Sequence, residues 1–172
     1  MGFDRHFARP TGSRHGVQIA GRQVDWKHVN NRSEEALGSA KDLWTAYREG
    51  RFGEGAPTPF LGYLFLLEDR SNVKQPVTNK EPYFKVDPAF RGLPAPSKKA
   101  GTMNYQGVTY AERYELLCRR LVLERIYNAS CFMMATNAKP TVISQPAQDL
   151  TFARFAAALR GHAATFVGSQ LP

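Results

Sequence analysis

The chain has 172 residues and a formal net charge of +8 at pH 7. Its hydrophobic share of 42% and charged share of 22% are typical of a soluble globular domain. No apolar run is long enough to span a membrane and residues 1–6 do not resemble a signal peptide, so we expect a cytoplasmic protein without a membrane partner. The excess of Lys and Arg favours a polyanionic partner, most often nucleic acid.

Residues 1–29 show no strong hydrophobic period. The short apolar stretches at 17–20 and 23–26 predict a weak hairpin about Gly21 and Arg22, and disorder is the alternative.

The region after residue 29 predicts a helix, a loop and a strand. Asn31 or Ser33 is expected to cap the helix, and apolar residues recur at three- and four-residue steps from Ala36 onward. Glycines and Pro57 end it. Residues 60–67 are apolar without alternation, which indicates a strand buried on both faces in the middle of a sheet. This order of elements indicates an α/β fold.

Residues 69–108 are predicted to be a long connector, because prolines interrupt them repeatedly. A short edge strand is expected at 83–86. Lys98 and Lys99 form a basic turn that is either a solvated loop or a contact to a DNA backbone.

Two helices and a strand complete the predicted elements. One helix is expected from Thr109 to about Ser130, followed by a buried strand over 131–136 and a helix over about 150–166. Apolar residues repeat along the last helix, so we expect the following to be buried: Phe152, Phe155, Ala156, Leu159, Ala163 and Phe166.

Few side chains have a spacing that indicates chemistry. The four histidines lack metal-ligand spacing, so no metal site is predicted from them. Cys118 and Cys131 are expected to be buried, reduced thiols. Asp25 and Lys27 form an acid–spacer–lysine pattern that, on a strand, offers a carboxylate for Mg²⁺ and an ammonium beside the attacking water. The second acid would be Asp4, and a chance occurrence of the pattern remains open.

From residue 30 onward the chain resembles the XhoI family of type II restriction endonucleases. The matching stretches are 30–38 (Asn-Asn-Arg-Ser-Glu-Glu-Ala-Leu-Gly), 42–50 (Asp-Leu-Trp-Thr-Ala-Tyr-Arg-Glu-Gly), 62–69 (Gly-Tyr-Leu-Phe-Leu-Leu-Glu-Asp) and 110–120. The resemblance implies that 30–172 is the C-terminal part of a PD-(D/E)xK nuclease, with a central sheet flanked by helices. It also implies a homodimer, Mg²⁺ as cofactor and cleavage of a short palindrome in double-stranded DNA.

Residues 1–29 depart from this family. Its members carry a strand with Trp-Asp, then a strand with Glu-Leu-Lys-Ser and a Gly-rich turn, immediately before the Asn-Asn-Arg stretch. The sequence here has none of these. We therefore expect the catalytic strands to be missing and the chain to be a truncated or frameshifted, inactive copy.

A shifted reading frame is one hypothesis for the missing motif. Moving forward by one base over residues 14–28 permits Ala-Thr-Glu-Phe-Lys-Ser-Gln-Val-Gly-Lys-Ser-Thr-Gly-Asn, which restores an acid-x-Lys strand and a Gly turn. Gln18 followed by Ile19 forces Lys or Arg in the shifted frame, and Trp26 forces the last Gly. The Glu is one choice among those that the Gly16 codon allows.

Arg32, Glu34 and Glu35 directly follow the motif position, so the resemblance predicts that they border the active site; helix capping and solvation are the alternative. The charged positions expected to contact DNA are Lys98, Lys99, Arg113, Arg119 and Arg120. Two other functions remain open: a non-catalytic DNA-binding or interaction module, and a nuclease that uses Asp4, Asp25 and Lys27.

Overall fold

The computed structural model of the chain describes residues 16–20, 26–80, 93–95 and 104–168. Its helices and strands are, in chain order, β1 (Gly16–Ala20), α1 (Trp26–Arg48), β2 (Gly62–Glu68), β3 (Pro76–Lys80), β4 (Leu93–Ala95), β5 (Asn104–Thr109), α2 (Tyr110–Leu123), β6 (Ala129–Ala135), β7 (Ile143–Ser144) and α3 (Phe152–Gly168). Short 3-10 turns lie at Ser71–Lys74 and Gln148–Leu150.

The central sheet has the strand order β1-β2-β6-β7. β1, β2 and β6 are parallel, and β7 is antiparallel to β6. β2 therefore lies inside the sheet and pairs with β6 along its whole length. The prediction of an α/β fold with a central buried strand is confirmed.

Helices cover both faces of this sheet. Because strand side chains alternate between the two faces, Tyr63 and Phe65 pack against α1 and α2 while Leu64 packs beside Phe155 of α3. The ring of Phe65 stacks on Tyr114 of α2 at 4.3 Å between centroids. Apolar cover on both sides explains why β2 is apolar without alternation.

The region before α1 differs from the prediction in two ways. Gly16–Ala20 is a strand that pairs in parallel with β2, and Trp26, expected in the second strand of a hairpin, lies in α1; the rest of the expected hairpin, residues 21–25, lies outside the described residues. The edge of β2 gives β1 backbone hydrogen-bond partners along its whole length. Helix α1 begins at Trp26, so the expected capping by Asn31 or Ser33 is wrong, since both lie inside the helix.

The connector between β2 and α2 is also more ordered than expected. It contains β3, β4 and β5, which form an antiparallel sheet of order β3-β5-β4. Pro76 and Pro94 lie in its two outer strands, where a residue without an N–H group is tolerated. Prolines were thus a misleading indication of missing structure. Residues 83–86, where an edge strand was expected, lie outside the described residues.

Helix α2 begins with a capping box in which the Thr109 hydroxyl accepts from the Glu112 N–H at 3.1 Å and the Glu112 carboxylate accepts from the Thr109 N–H at 2.7 Å. It ends at Leu123 rather than near Ser130. The backbone N–H groups of Ile126 and Tyr127 both donate to the Leu121 carbonyl. This tight turn leads directly into β6 and explains the earlier end of the helix.

Helix α3 is less buried than its apolar sequence suggests. Phe155 is buried, Ala156 and Leu159 are half-buried, and Ala163 is exposed. Phe152 and Phe166, expected in the core, are 49% and 44% exposed. The helix packs on a narrow sheet, so a single stripe of side chains suffices to cover it. No helix in the described part of the chain is both long and apolar enough to cross a membrane.

The contact between Gly62 and α3 gives a first test. A Cβ atom at Gly62 would lie 2.7 Å and 2.8 Å from two ring carbons of Phe155. We expect Gly62→Ala to lower the free energy of unfolding by about 1–3 kcal/mol, the usual cost of overpacking, measured by urea denaturation. Gly38→Ala is the control, because nothing lies within 4 Å of that position on α1; it should raise stability by about 0.5–1 kcal/mol. Equal effects of the two substitutions on the free energy of unfolding would contradict the close contact between Gly62 and Phe155.

Candidate active-site border and nucleic-acid interface

The edge of the central sheet formed by β1 lies directly before α1 in the chain. Gly16 of β1 is the register partner of Tyr63, and Gln18 is the partner of Phe65. Tyr63 is 2% exposed, and its ring lies 5.3 Å from that of Tyr127. This junction of β1, β2 and α1, called the β1–α1 corner below, contains polar groups inside an otherwise apolar layer.

Tyr63 carries the most unusual group of the β1–α1 corner. Its hydroxyl is buried and has no hydrogen-bond partner in the described part of the chain. The neighbouring Tyr127 hydroxyl, by contrast, donates to the Ala36 carbonyl at 2.9 Å. Burial raises the pKa of Tyr63 far above its ordinary value, and the positive charge of Arg32 opposes that rise. Cys118, Tyr127 and Tyr114 reinforce the rise in this pKa.

Two of the three residues expected to border the active site, Arg32 and Glu35, form an ion pair with each other. Arg32 is half-buried and forms an ion pair with the exposed carboxylate of Glu35, 2.5 Å away and one helical turn along. Glu34 is exposed and is not part of this pair. Arg32 is the least exposed member of the set. Tyr63 was not predicted, although a hydroxyl in the apolar run of β2 was a visible indication.

Of the two charged residues in the acid–spacer–lysine pattern, only the lysine lies among the described residues. Lys27 is in the first turn of α1, which overturns the expectation of a strand there; the helix begins at the preceding residue and includes it. Asp4 and Asp25 lie outside the described residues. Lys98 and Lys99 do as well.

Arg113, Arg119 and Arg120 of α2 were all expected to contact DNA, but their surroundings differ. Arg113 is 3% exposed, its guanidinium lies over the Tyr110 ring at 5.9 Å, and burial lowers its pKa. β5 and the 3-10 turn Ser71–Lys74 pack against α2. Arg113 is thus withdrawn from the surface on which a DNA backbone would bind.

Arg119 and Arg120 lie further along α2. Arg119 donates to both carboxylate oxygens of Asp149, at 2.7 Å and 3.0 Å, and contacts Glu115 at 2.6 Å. Arg120 is exposed and lies 3.3 Å from Glu124. Arg119 is therefore already neutralised by two carboxylates, and Arg120 is the most accessible of the three arginines.

The described residues contain no group of three or more His, Cys, Asp and Glu side chains that could hold a metal ion. At the carboxyl end of β2, Glu68 is paired with Arg70 at 2.6 Å and Asp69 with Lys74 at 2.6 Å. Their carboxylates serve local ion pairs, so this part of the chain does not fit a Mg²⁺ site.

The two thiols are buried and unbonded, as predicted for Cys118 and Cys131. Burial raises the pKa of Cys131 to about 11 and raises that of Cys118 further. Both are therefore protonated near neutral pH and act as small apolar core residues.

The ion pair between Arg119 and Asp149 gives a prediction for the acid range. Arg119 holds the pKa of the Asp149 carboxyl below its usual value, so the pair stabilises the fold above the unfolded-state pKa of about 3.9. That contribution is lost as the pH falls through the lower folded value. We expect Asp149→Asn to cost at most about 1 kcal/mol at pH 6, since both side chains are partly exposed, and nearly nothing at very low pH.

Urea denaturation of the parent and variant at each pH checks this. Asp42→Asn, a change at an exposed position on α1, is the control and should alter stability by less than about 0.5 kcal/mol. If Asp149→Asn lowers the free energy of unfolding by the same amount at every pH, the stabilising role of the ion pair between Arg119 and Asp149 would be contradicted.

The architecture defines a class of α/β proteins in which a parallel strand–helix–strand core is covered by helices on both faces. Comparison with known proteins narrows this class. The profile of restriction endonuclease XhoI matches residues 21–145. The chain therefore belongs to the XhoI restriction endonuclease family.

Three relatives carry the names of type II restriction enzymes. BstVI of Geobacillus stearothermophilus is 41% identical over 140 residues, which is 80% of this chain and 55% of the relative. XhoI of Xanthomonas vasicola is 43% identical over 97 residues (56% and 33%). AbrI of Azospirillum brasilense is 49% identical over 67 residues (39% and 30%). The chain thus spans about half, or less, of the length of these relatives, and no solved structure matches it.

Proposed function

We propose that the chain carries the part of a type II restriction endonuclease that follows its catalytic acid-x-Lys strand. The complete enzyme would cleave double-stranded DNA at a specific site as a homodimer, with Mg²⁺ and a PD-(D/E)xK sheet, in a prokaryotic cytoplasm. Membership of the XhoI family and the names of three relatives support this proposal. As translated, the chain is proposed to be inactive.

The observation that carries the proposal is the position of β1. The resemblance places the acid-x-Lys strand immediately before the Asn-Asn-Arg stretch, and the structure has a strand there, at the edge of the central sheet and parallel to β2. In the translated frame this strand reads Gly-Val-Gln-Ile-Ala, without an acid or a lysine. One choice of codons in the shifted frame would put Glu and Lys at positions 16 and 18, which share one face of the strand.

Catalysis by this family would require carboxylates that hold Mg²⁺, which activates water and stabilises the negative charge at the phosphate. The described residues do not form such a set. Their contribution is proposed to be structural and electrostatic: Arg32 on α1 supplies a positive charge that acts on Tyr63 of β2. Glu34 and Glu35 are proposed to border the same site.

DNA binding is proposed to use accessible cations. The net charge of +8 favours a polyanionic partner. Lys98 and Lys99 of the basic turn and the exposed Arg120 are the proposed backbone contacts. Arg113 and Arg119 are less suitable, because one is buried and the other is held by two carboxylates.

The first experiment compares two forms of the gene. The chain as translated is expected not to nick plasmid DNA with Mg²⁺. Correcting the frame over residues 14–28 and extending translation upstream in that frame is expected to produce a protein that cleaves DNA with Mg²⁺ and stops when a chelator is added. A frame-corrected protein in which the restored Glu is replaced by Gln is the matched control and should be inactive.

Two results would contradict this proposal. One is the absence of acid-x-Lys codons in the shifted frame of the gene. The other is Mg²⁺-dependent cleavage by the chain as translated; loss of that cleavage in Asp25→Ala would then support the alternative in which Asp4, Asp25 and Lys27 form the site.

The second experiment measures DNA binding without cleavage. We expect Lys98→Ala and Arg120→Ala each to reduce the slope of log K against log salt by about one, since each removes one phosphate contact. Arg119→Ala removes the same charge from the same helix but should leave the slope almost unchanged. Fluorescence anisotropy with a labelled duplex provides the measurement.

Equal slopes for all three variants would contradict the proposed contacts. Salt-dependent binding by a frame-corrected protein that fails to cleave would instead favour the alternative function, a non-catalytic DNA-binding module.

A further inference from the structure

The turn that ends α2 contains an arginine in a backbone conformation that usually belongs to glycine. Arg125 has a φ of 57° and is, in the described part of the chain, the non-glycine residue with a positive φ. Its N–H donates to the Val122 carbonyl. The N–H of Ile126 donates to the Leu121 carbonyl. These are the hydrogen bonds of a Schellman motif, in which glycine is the usual left-handed residue because a Cβ atom is unfavourable there. An arginine at this position indicates a use for its side chain.

The residues that follow Arg125 are held in place by two side chains. The Trp44 indole N–H donates to the Ile126 carbonyl at 2.9 Å. The Tyr127 hydroxyl donates to the Ala36 carbonyl, also at 2.9 Å. Both bonds join the turn to α1, so the left-handed conformation is imposed by its surroundings. Arg125 therefore extends from a rigid backbone.

This turn lies at the end of the central sheet where β1 begins. Tyr63 of β2 pairs with Gly16, the first residue of β1, on one side and with Ser130 of β6 on the other. Ser130 follows the turn closely in the chain. Because neighbouring strands are about 4.8 Å apart, the start of β1 lies about 10 Å from the start of β6. Arg125 is thus close to the strand that we propose to occupy the acid-x-Lys position.

The side chain of Arg125 is accessible and has no protein partner. It is exposed, and no hydrogen bond or ion pair joins it to another residue in the described part of the chain. The neighbouring Glu124 is 3.3 Å from Arg120 instead. A guanidinium without a carboxylate partner can bind a phosphate, with two parallel hydrogen bonds, without first losing an ion pair.

We propose that Arg125 binds a backbone phosphate of duplex DNA at the end of the central sheet where β1 begins. This inference rests on the proposed function, because that function supplies the DNA. The hydrogen bonds from Trp44 and Tyr127 fix the turn before DNA arrives, which lowers the ordering cost of binding. The alternative is a purely structural role, in which the positive charge of Arg125 stabilises the negative C-terminus of α2.

The test combines stability and DNA binding in two variants of the full chain. Arg125→Gly and Arg125→Ala remove the same charge, but only glycine relieves the left-handed backbone. We expect the glycine variant to melt about 2–4 °C above the alanine variant and no lower than the parent. Fluorescence anisotropy with a labelled duplex, without Mg²⁺, should show that both variants lower the slope of log K against log salt by about one.

Two further variants are the controls. Arg125→Lys keeps the positive charge and should keep the slope of the parent. Arg119→Ala removes a charge from the same helix, but this arginine is held by two carboxylates, so the slope should again be that of the parent. A variant that is as stable as the parent and still binds DNA with a lower salt slope cannot be explained by a structural role.

A glycine variant that melts below the parent and keeps its salt slope would overturn the inference in favour of the structural role. Equal thermal midpoints of the glycine and alanine variants would also overturn it, because the backbone at position 125 would then carry no strain. If the parent binds duplex DNA and the Arg125 variants bind with the same slope, the inference fails and the proposed function stands. A parent chain that does not bind duplex DNA at low salt would refute the proposed DNA binding and this contact together.

Discussion

The parallel pairing of β2 with β6 is the interaction on which the rest of the structure depends. Every residue of Gly62–Glu68 has a partner in Ala129–Ala135. On one face Phe65 stacks on Tyr114, and on the other the ring of Phe155 lies directly over Gly62. Because backbone pairing and side-chain cover are combined in the same strand, β2 positions the helices on both sides and offers its free edge to β1.

The β1–α1 corner shows a different balance of forces. Most of the layer between the sheet and α1 and α2 is apolar, yet it contains the Tyr63 hydroxyl, which has no hydrogen-bond partner in the described part of the chain. Proteins tend to break the rule of satisfied buried polar groups at functional sites. The corner contains β1, which we propose to occupy the position of the acid-x-Lys strand of the family.

The arginines of α2 show that residue type alone does not indicate function. Arg113, Arg119 and Arg120 are chemically identical, but one is buried against Tyr110, one is held by Asp149, and one is accessible. Asp149 lies far along the chain from Arg119, and the elements that pack against α2 include β5 of the second sheet and the 3-10 turn Ser71–Lys74. Helical spacing alone therefore could not separate a structural arginine from a candidate DNA contact.

The sequence alone determined the α/β class, the two buried strands, the three helices and the family, because hydrophobic periodicity and motif order are local properties. It could not place β1 beside β2, find strands among the prolines near Pro76 and Pro94, or foresee the exposure of Phe152 and Phe166. Those outcomes were decided by tertiary structure, because strand pairing and burial depend on which distant segment supplies the partner. The unsatisfied hydroxyl of Tyr63 belongs to the same group: only the packed fold shows that its neighbour in β1 is a glycine.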